Sequence, residues 1–240
     1  YDVNRYGELF EQLRTDRRNV PLINRAVARQ YPPGSTAKPI AALAGLHSGR
    51  IDLNTTFTCE GKLFPDSPVP SWRCWRKWGH GELDVVGAIR GSCNVFFYKM
   101  GNLLGAPRLL EYFRMFGFDR PPGCGLPEEA PGLVPTATWL AKHRDRDFVP
   151  GDARLMAIGQ GLLLATPLHV ANAMATIAAD GEVRSPMLAL EGGAAQSRWP
   201  LPIASEHLRA VQKGMYQVCN AETGTARKLF RDAGLRTVVC

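Results

Sequence analysis

The stretch Tyr31-Pro32-Pro33-Gly34-Ser35-Thr36-Ala37-Lys38-Pro39 constrains the fold more than any other. Two prolines with a fixed φ and a glycine punctuate the backbone there, so no regular element runs through it. From Thr36 the composition turns helix-friendly, with Ala37, Ala41, Ala42, Leu43, Ala44 and Leu46 before Gly49. The pattern predicts a turn that delivers a serine to the start of a helix. Ser35 and Lys38 are three residues apart, which stacks their side chains on one helical face. A serine hydroxyl is a poor nucleophile until a neighbour takes its proton, and a desolvated lysine can do so. The helix N-terminus also favours negative charge developing at Ser35. On this pair alone the plainer reading, a surface helix capped by Ser35 with Lys38 in solvent, is the stronger.

The remainder reads as mostly helix. Tyr6 to Leu13 has helical spacing, and Leu53 to Cys59 is β-prone. Pro65 to Pro70 is a loop. Asp84 caps a helix through Arg90 that Gly91 interrupts. Val95 to Leu104 is apolar on nearly every side and reads as a buried helix. Pro107 to Phe116 forms another, closed by Gly117, and Thr136 to Lys142 a short one. Thr166-Pro167 opens an Ala-rich helix, His169 to Ala179. Ser205 is expected to cap a helix through Val218. Arg227 to Ala233 is a last short helix, after which Leu235 to Cys240 turns β-like.

Bulk properties narrow the function. The chain has 240 residues, 45% hydrophobic and 21% charged, enough for one large or two small domains. No run approaches the ~18 uninterrupted apolar residues of a membrane span. The net charge of +7 is spread along the chain, without a basic stripe or a nucleic-acid reading motif. Nucleic acid is therefore not an expected partner, whereas an anionic surface or polymer fits.

Ser92-Cys93-Asn94 lies between two expected helices. A hydroxyl and an amide at i and i+2 on a tight loop can project into one cleft, where the serine relays a proton and the amide holds a carbonyl or the lysine. By itself this is an ordinary helix-breaking turn. Ser-x-x-Lys followed by Ser-x-Asn, however, is the motif order of the penicillin-recognising serine acyltransferases. The sequence resembles the class B penicillin-binding proteins, and within them the elongation-type transpeptidases (penicillin-binding protein 2). The resemblance runs over the whole chain. It is carried by Tyr1 to Asn4, Asn24-Arg25-Ala26, Tyr31 to Ser35, Trp75 to Gly81, and Ser92 to Tyr98. It continues through Ile158-Gly159-Gln160-Gly161, Ala165-Thr166-Pro167, Gly214-Met215-Tyr216 and Gly224-Thr225-Ala226.

The resemblance implies an α/β penicillin-binding/β-lactamase-like transpeptidase fold and cross-linking of peptidoglycan stem peptides outside the cytoplasmic membrane. Ser35 would attack the D-Ala-D-Ala carbonyl to form an acyl-enzyme. Lys38 would be the base, Ser92 the proton shuttle, and Asn94 would orient Lys38 or the substrate amide. β-Lactams would acylate the same serine. The implied setting is a periplasmic catalytic domain anchored in the inner membrane, working with a membrane glycosyltransferase and the elongation machinery.

The family's third motif, Lys-Thr/Ser-Gly on an edge strand, is not found. Glu222-Thr223-Gly224 carries the wrong charge to hold a carboxylate. Thr237 to Cys240 reads as the start of the motif strand, with the motif itself past the end. Tyr1 to Asn4 resembles the loop after the family's first two sheet strands. The expectation is a partial transpeptidase domain over residues 1–240. It would hold mainly the helical part, lack most of the central antiparallel sheet, and be inactive by itself.

Cys59, Cys74, His80 and Cys93 form a Cys3His set with gaps of 14, 5 and 12 residues. Thiolate and imidazole ligands in fours suit a structural Zn2+, which would staple the loop-rich 59–80 segment against the Ser92 loop. The resemblance adds to that reading, since it implies zinc at matching positions in some elongation-type penicillin-binding proteins, with Asp in place of some of the cysteines. The alternatives are a Cys59–Cys74 disulfide, or free buried thiols. Other functions stay open beside the transpeptidase: a β-lactam sensor acylated without turnover, a β-lactamase, or an inactive scaffold. Trp75 to Gly81 favours the transpeptidase, and no supported carboxylate for deacylating water is seen.

Overall fold

Val95 to Leu104 becomes the spine around which the other helices pack. The computed structural model describes residues 3–67, 71–188 and 198–234. After a short 3-10 turn, α1 (Tyr6–Thr15) and α2 (Arg25–Ala28) precede a 3-10 turn, Gly34–Ala37, that runs directly into α3 (Lys38–His47). Then come β1 (Phe57–Cys59), β2 (Gly81–Leu83), α4 (Val85–Arg90) and α5 (Asn94–Met115). The chain continues through α6 (Ala137–Arg144), α7 (Pro150–Ala157), α8 (Pro167–Ala178), β3 (Glu182–Arg184) and β4 (Arg198–Pro200). It closes with α9 (Ser205–Asn220) and α10 (Arg227–Asp232).

In α3 every residue from Lys38 to Leu46 is buried, as its unbroken apolar run requires. α5 packs on α3 and α7, and α4 lies on α9, which also reaches α3. The α5–α7 approach is close because Gly101 has no side chain, and a Cβ there would meet the Ala153 carbonyl at 2.6 Å. Ile40, Leu43, Phe96, Phe97, Met100, Leu109, Leu110 and Met156 fill the shared core. At about 25 cal/mol per Å2 of apolar surface removed from water, this core is the main stabilising contribution.

The helical emphasis and sparse strands agree with the sequence, and several boundaries differ for local reasons. The two expected helices over 95–116 meet at Gly105, whose φ of 69° and ψ of 160° break α5 into two segments. The expected strand over Leu53–Cys59 shortens to Phe57–Cys59. Asp52 closes a turn there, its Oδ1 accepting from Asn54 N at 3.0 Å and Thr55 Oγ1 at 2.7 Å. Ser205 does not cap α9: Ala204 holds the cap position without a side-chain bond, and Ser205 is already helical. Asp84 and Thr136 do cap α4 and α6, accepting from Gly87 N at 2.7 Å and Trp139 N at 3.0 Å. Strands β2, β3 and β4 were not expected. They form two antiparallel two-stranded ribbons, β1–β2 with Cys59 opposite Gly81, and β3–β4 with Val183 opposite Trp199. The expected motif strand at 235–240 lies outside the described residues. Among the described residues no helix is long and apolar enough to cross a membrane.

Candidate active site

The serine turn is built by sterics. Gly34 sits at φ +61° and donates its N–H to the Gly159 carbonyl at 2.8 Å. Gly159 is itself at φ +69°, and a Cβ on it would collide with the Gly34 carbonyl. Only glycine permits both the conformation and the approach. The Gly159-Gln160-Gly161 turn is therefore a backbone rest for the serine turn. Residues Gly34–Ala37 are 3-10, with three residues per turn, so Ser35 and Lys38 eclipse more closely than α-helix would place them. Ser35 is exposed, and its hydroxyl makes no hydrogen bond to any described residue.

Lys38 is 2% exposed, a position that a solvated surface lysine would not take. Its ammonium donates to the Ser92 carbonyl at 2.8 Å, Ser92 Oγ at 2.9 Å and Asn94 Oδ1 at 2.8 Å. It also lies 5.5 Å from the centroid of the Phe97 ring. Burial pushes its pKa down to about 8, against which the Cys93 and Cys74 sulfurs act weakly upward. Ser92 holds a left-handed φ of +46°, a strained conformation for a non-glycine residue. That turn brings both its carbonyl and its hydroxyl to the ammonium. Asn94, the first residue of α5, donates Nδ2 to the Arg73 carbonyl at 3.4 Å, so its Oδ1 is turned to Lys38. Ser35, Lys38 and Ser92 line one cavity of about 270 Å3, walled by Pro39, Ile89, Met174, Met215, Val218 and Thr225. Asn94 reaches this group through Lys38.

Cys59, Cys74, His80 and Cys93 also come together, with their donor atoms all within 4.8 Å of one another. His80 Nδ1 lies 3.7 Å from Cys59 Sγ and 3.5 Å from Cys74 Sγ. Bond lengths of ~2.3 Å to sulfur and ~2.0–2.1 Å to nitrogen place the corners of a zinc tetrahedron about 3.5–3.8 Å apart, a spacing that the two His80–sulfur distances match, while the 4.8 Å span of the set is wider. The three sulfurs are free thiols, which removes the Cys59–Cys74 disulfide alternative from this structure. Hydrogen bonds from Cys59 and Cys93 hold the Cys74 thiol far below its ordinary range, while the same sharing pushes Cys93 and Cys59 up. Cys93 Sγ accepts from Phe96 N at 3.4 Å and so caps α5. One residue therefore links the cluster to both Ser92 and Asn94.

Asp152, which the sequence left without chemistry, pairs with Arg146 in a two-pronged contact at 2.7 and 2.9 Å. It also accepts from Val149 N at 2.9 Å, starting α7. Arg146 holds the Asp152 carboxyl below its usual range. Sequence reasoning missed the cavity wall of Met174, Met215, Val218 and Thr225, because only the packing of α8 and α9 assembles it. It gave Trp75 to Gly81 as part of the resemblance but no structural role to Trp75, whose Nε1 donates to the Gly91 carbonyl at 3.0 Å beside the Ser92 loop. The Trp-Arg-Lys-Trp run was the available signal.

The penicillin-binding protein transpeptidase domain matches residues 1–238. The peptidoglycan D,D-transpeptidase MrdA of Escherichia coli K12 is 36% identical over 225 residues, covering 90% of this chain and 35% of its own length. The chain thus spans about a third of the curated relatives it matches. The structure of penicillin-binding protein PBP2 from Helicobacter pylori superposes with a TM-score of 0.85 at 34% identity, covering 96% of this chain and 44% of that one. PBP2 of Pseudomonas aeruginosa, solved in complex with WCK 5153, gives a TM-score of 0.83 at 32% identity, over 92% of this chain and 50% of that one. The chain belongs to the penicillin-binding protein transpeptidase family, in its class B branch with the PBP2/MrdA proteins.

Proposed function

We propose that the protein carrying this chain is a serine-type peptidoglycan D,D-transpeptidase, with Ser35, Lys38, Ser92 and Asn94 as its catalytic residues. The observation that carries the proposal is the buried Lys38 ammonium, bonded to Ser92 and Asn94 at the wall of the cavity that Ser35 enters. Ser35 Oγ attacks the carbonyl between the two terminal D-alanines of a stem peptide. Its proton passes to Lys38, and the tetrahedral intermediate collapses as the C–N bond breaks. The leaving D-alanine amine takes its proton through Ser92 Oγ, leaving an ester on Ser35. An amine from a second stem peptide then attacks that ester, gives up a proton by the reverse route, and frees Ser35 with a new amide bond. With a pKa of about 8, roughly a tenth of Lys38 is neutral at pH 7, enough for a base that is regenerated in each cycle. A β-lactam carbonyl reaches the same serine, and its ring amine stays tethered, so the ester persists. The relatives named above are transpeptidases and penicillin-binding proteins, which favours transfer over a sensor acylated without turnover.

The Cys59, Cys74, His80 and Cys93 donors are proposed to hold one Zn2+. Bound there, the ion would supply no redox or Lewis-acid step but a cross-link between the 59–80 segment and the Ser92 loop. The parent protein is further proposed to sit in the inner membrane with this domain in the periplasm, beside a glycosyltransferase and the elongation machinery. Among similar proteins, the Helicobacter pylori homologue has been solved with MreC, and another within a peptidoglycan synthase complex. The 240 residues are proposed to be part of the domain, with the sheet and the Lys-Thr-Gly strand supplied from outside them. The test is an exchange assay with a D-Ala-D-Ala pentapeptide and a D-amino acid acceptor. Full-length protein is expected to form the exchanged peptide, and Ser35→Ala and the isolated 240 residues none. Exchange by Ser35→Ala would overturn the assignment.

A further inference from the structure

The 71–78 segment is a surface that the acylation chemistry does not use. Trp75 is 59% exposed and Trp78 84% exposed, high values for the largest apolar side chains. Arg73, Arg76 and Lys77 stand among them, exposed and without an acidic residue between 71 and 78. Lys77 Nζ lies 4.9 Å from the centroid of the Trp78 ring, so the cation and the indole face form one patch. The patch is anchored, not loose. Trp75 donates Nε1 to the Gly91 carbonyl at 3.0 Å and meets the His80 ring edge-on at 5.4 Å. The Arg73 carbonyl accepts from Asn94 Nδ2 and from Tyr98 Oη, each at 3.4 Å. Thus Arg73 and Trp75 tie the segment to Gly91 and Asn94, which flank Ser92.

We propose that Trp75 and Trp78, with Arg76 and Lys77, form a saccharide-binding platform that holds the glycan strand of the peptidoglycan substrate beside the acylation site. The proposal rests on the transpeptidase reading above and gives that reading a polymer subsite. The chemistry of each partner argues for it. The π face of an indole is electron-rich, and the C–H face of a hexopyranose ring is its weakly positive complement. The stem peptides hanging from such a strand carry free carboxylates, which the three cations attract. At about 250 Å2 per indole side chain, the two tryptophans expose roughly 350 Å2 of apolar surface among the three cations. An anionic polymer of sugar rings needs only such a narrow, repeated contact.

The test uses the full-length protein, as wild type, Trp78→Ala, Trp78→Phe and an Arg76→Ala/Lys77→Ala pair. The probes are glycan strands stripped of peptide by an amidase, intact peptide-bearing strands, and a fluorescent penicillin, which has no sugar. Trp78→Ala is expected to bind both strand types about tenfold more weakly, with Trp78→Phe restoring most of the loss. The cation pair is expected to weaken both strand types, because amidase cleavage leaves a lactyl carboxylate on each muramic residue, and to reduce the dependence of binding on salt. Penicillin labelling of Ser35 is expected to be unchanged in all of them, since Trp78 touches none of the reacting groups. Unchanged strand binding by Trp78→Ala overturns the platform, including the case in which the substitution alters only association with another protein. If the wild type fails to label with penicillin yet binds strands through Trp78, the acylation reading falls and the platform stands.

Discussion

Lys38 Nζ lies 2.9 Å from Ser92 Oγ, joining a buried base on α3 to a hydroxyl 54 residues away on the α4–α5 loop. The same ammonium reaches Asn94 Oδ1 at 2.8 Å, so all three residues turn on one nitrogen. Burial of that nitrogen sets its pKa, and the pKa sets the pH response.

The pH profile should show Lys38 directly. Acylation needs its neutral form, so the rate is expected to fall about tenfold per pH unit below pH 8 and to level off above it. Lys38→Arg keeps a charge at every pH and should be inactive throughout. Stability follows the same group. Its folded pKa of about 8 lies below the ordinary 10.5, so the unfolded chain binds the extra proton between these values. Stability contributed at Lys38 is therefore expected to rise with pH from about 8 to about 10.5, by about 3 kcal/mol at most. Denaturant titrations of wild type and Lys38→Met across that range check it: the difference in stability between the two should change by that amount between pH 8 and 10.5.

Substitutions at Ser92 separate strain from chemistry. Ser92→Ala and Ser92→Gly both remove the hydroxyl and should slow acylation by about 10^2 or more. Only glycine relieves the φ of +46°, so Ser92→Gly should be about 1 kcal/mol more stable than Ser92→Ala in urea unfolding.

Gly159→Ala places a Cβ against the Gly34 carbonyl at a φ of +69°. Strain and overpacking together should cost about 3 kcal/mol. The serine turn must shift to make room, so penicillin labelling should slow more than tenfold while the far-ultraviolet circular dichroism stays native. Labelling at the wild-type rate would show that the turn does not depend on this contact.

Metal analysis of the full-length protein should return one zinc per chain, lost in His80→Ala. Chelation should lower the melting temperature by roughly 10 °C, as expected for losing about 3 kcal/mol in a domain of this size. It should also slow acylation, because Cys93 is shared between the cluster and the Ser92-x-Asn94 loop.

The parts of the site set by short-range rules were legible in the sequence. Ser35 and Lys38 share a face because three residues make a turn. The Cys59, Cys74, His80 and Cys93 set could be named from ligand type and count, though nothing in the gaps fixed their meeting. Ser92 and Asn94 stood out only as a second motif after Ser35, since a Gly-Ser-Cys-Asn turn is ordinary in itself. Contacts between distant segments were not legible. The Gly34–Gly159 rest joins residues 125 positions apart, and no local pattern announces it. β2 has no alternating pattern, and it pairs because the His80 N–H reaches the Cys59 carbonyl at 3.0 Å beside the cysteine cluster. The cap at Ser205 was misplaced because Ala204, lacking a side-chain acceptor, nonetheless begins α9.

The central claim is that Ser35 is the residue acylated. The most direct measurement is peptide-mapped mass spectrometry of the full-length protein after reaction with benzylpenicillin. One penicilloyl adduct per chain, on the peptide containing Ser35 and absent from Ser35→Ala, is the predicted result. An adduct on any other residue, or an undiminished adduct in Ser35→Ala, would contradict it.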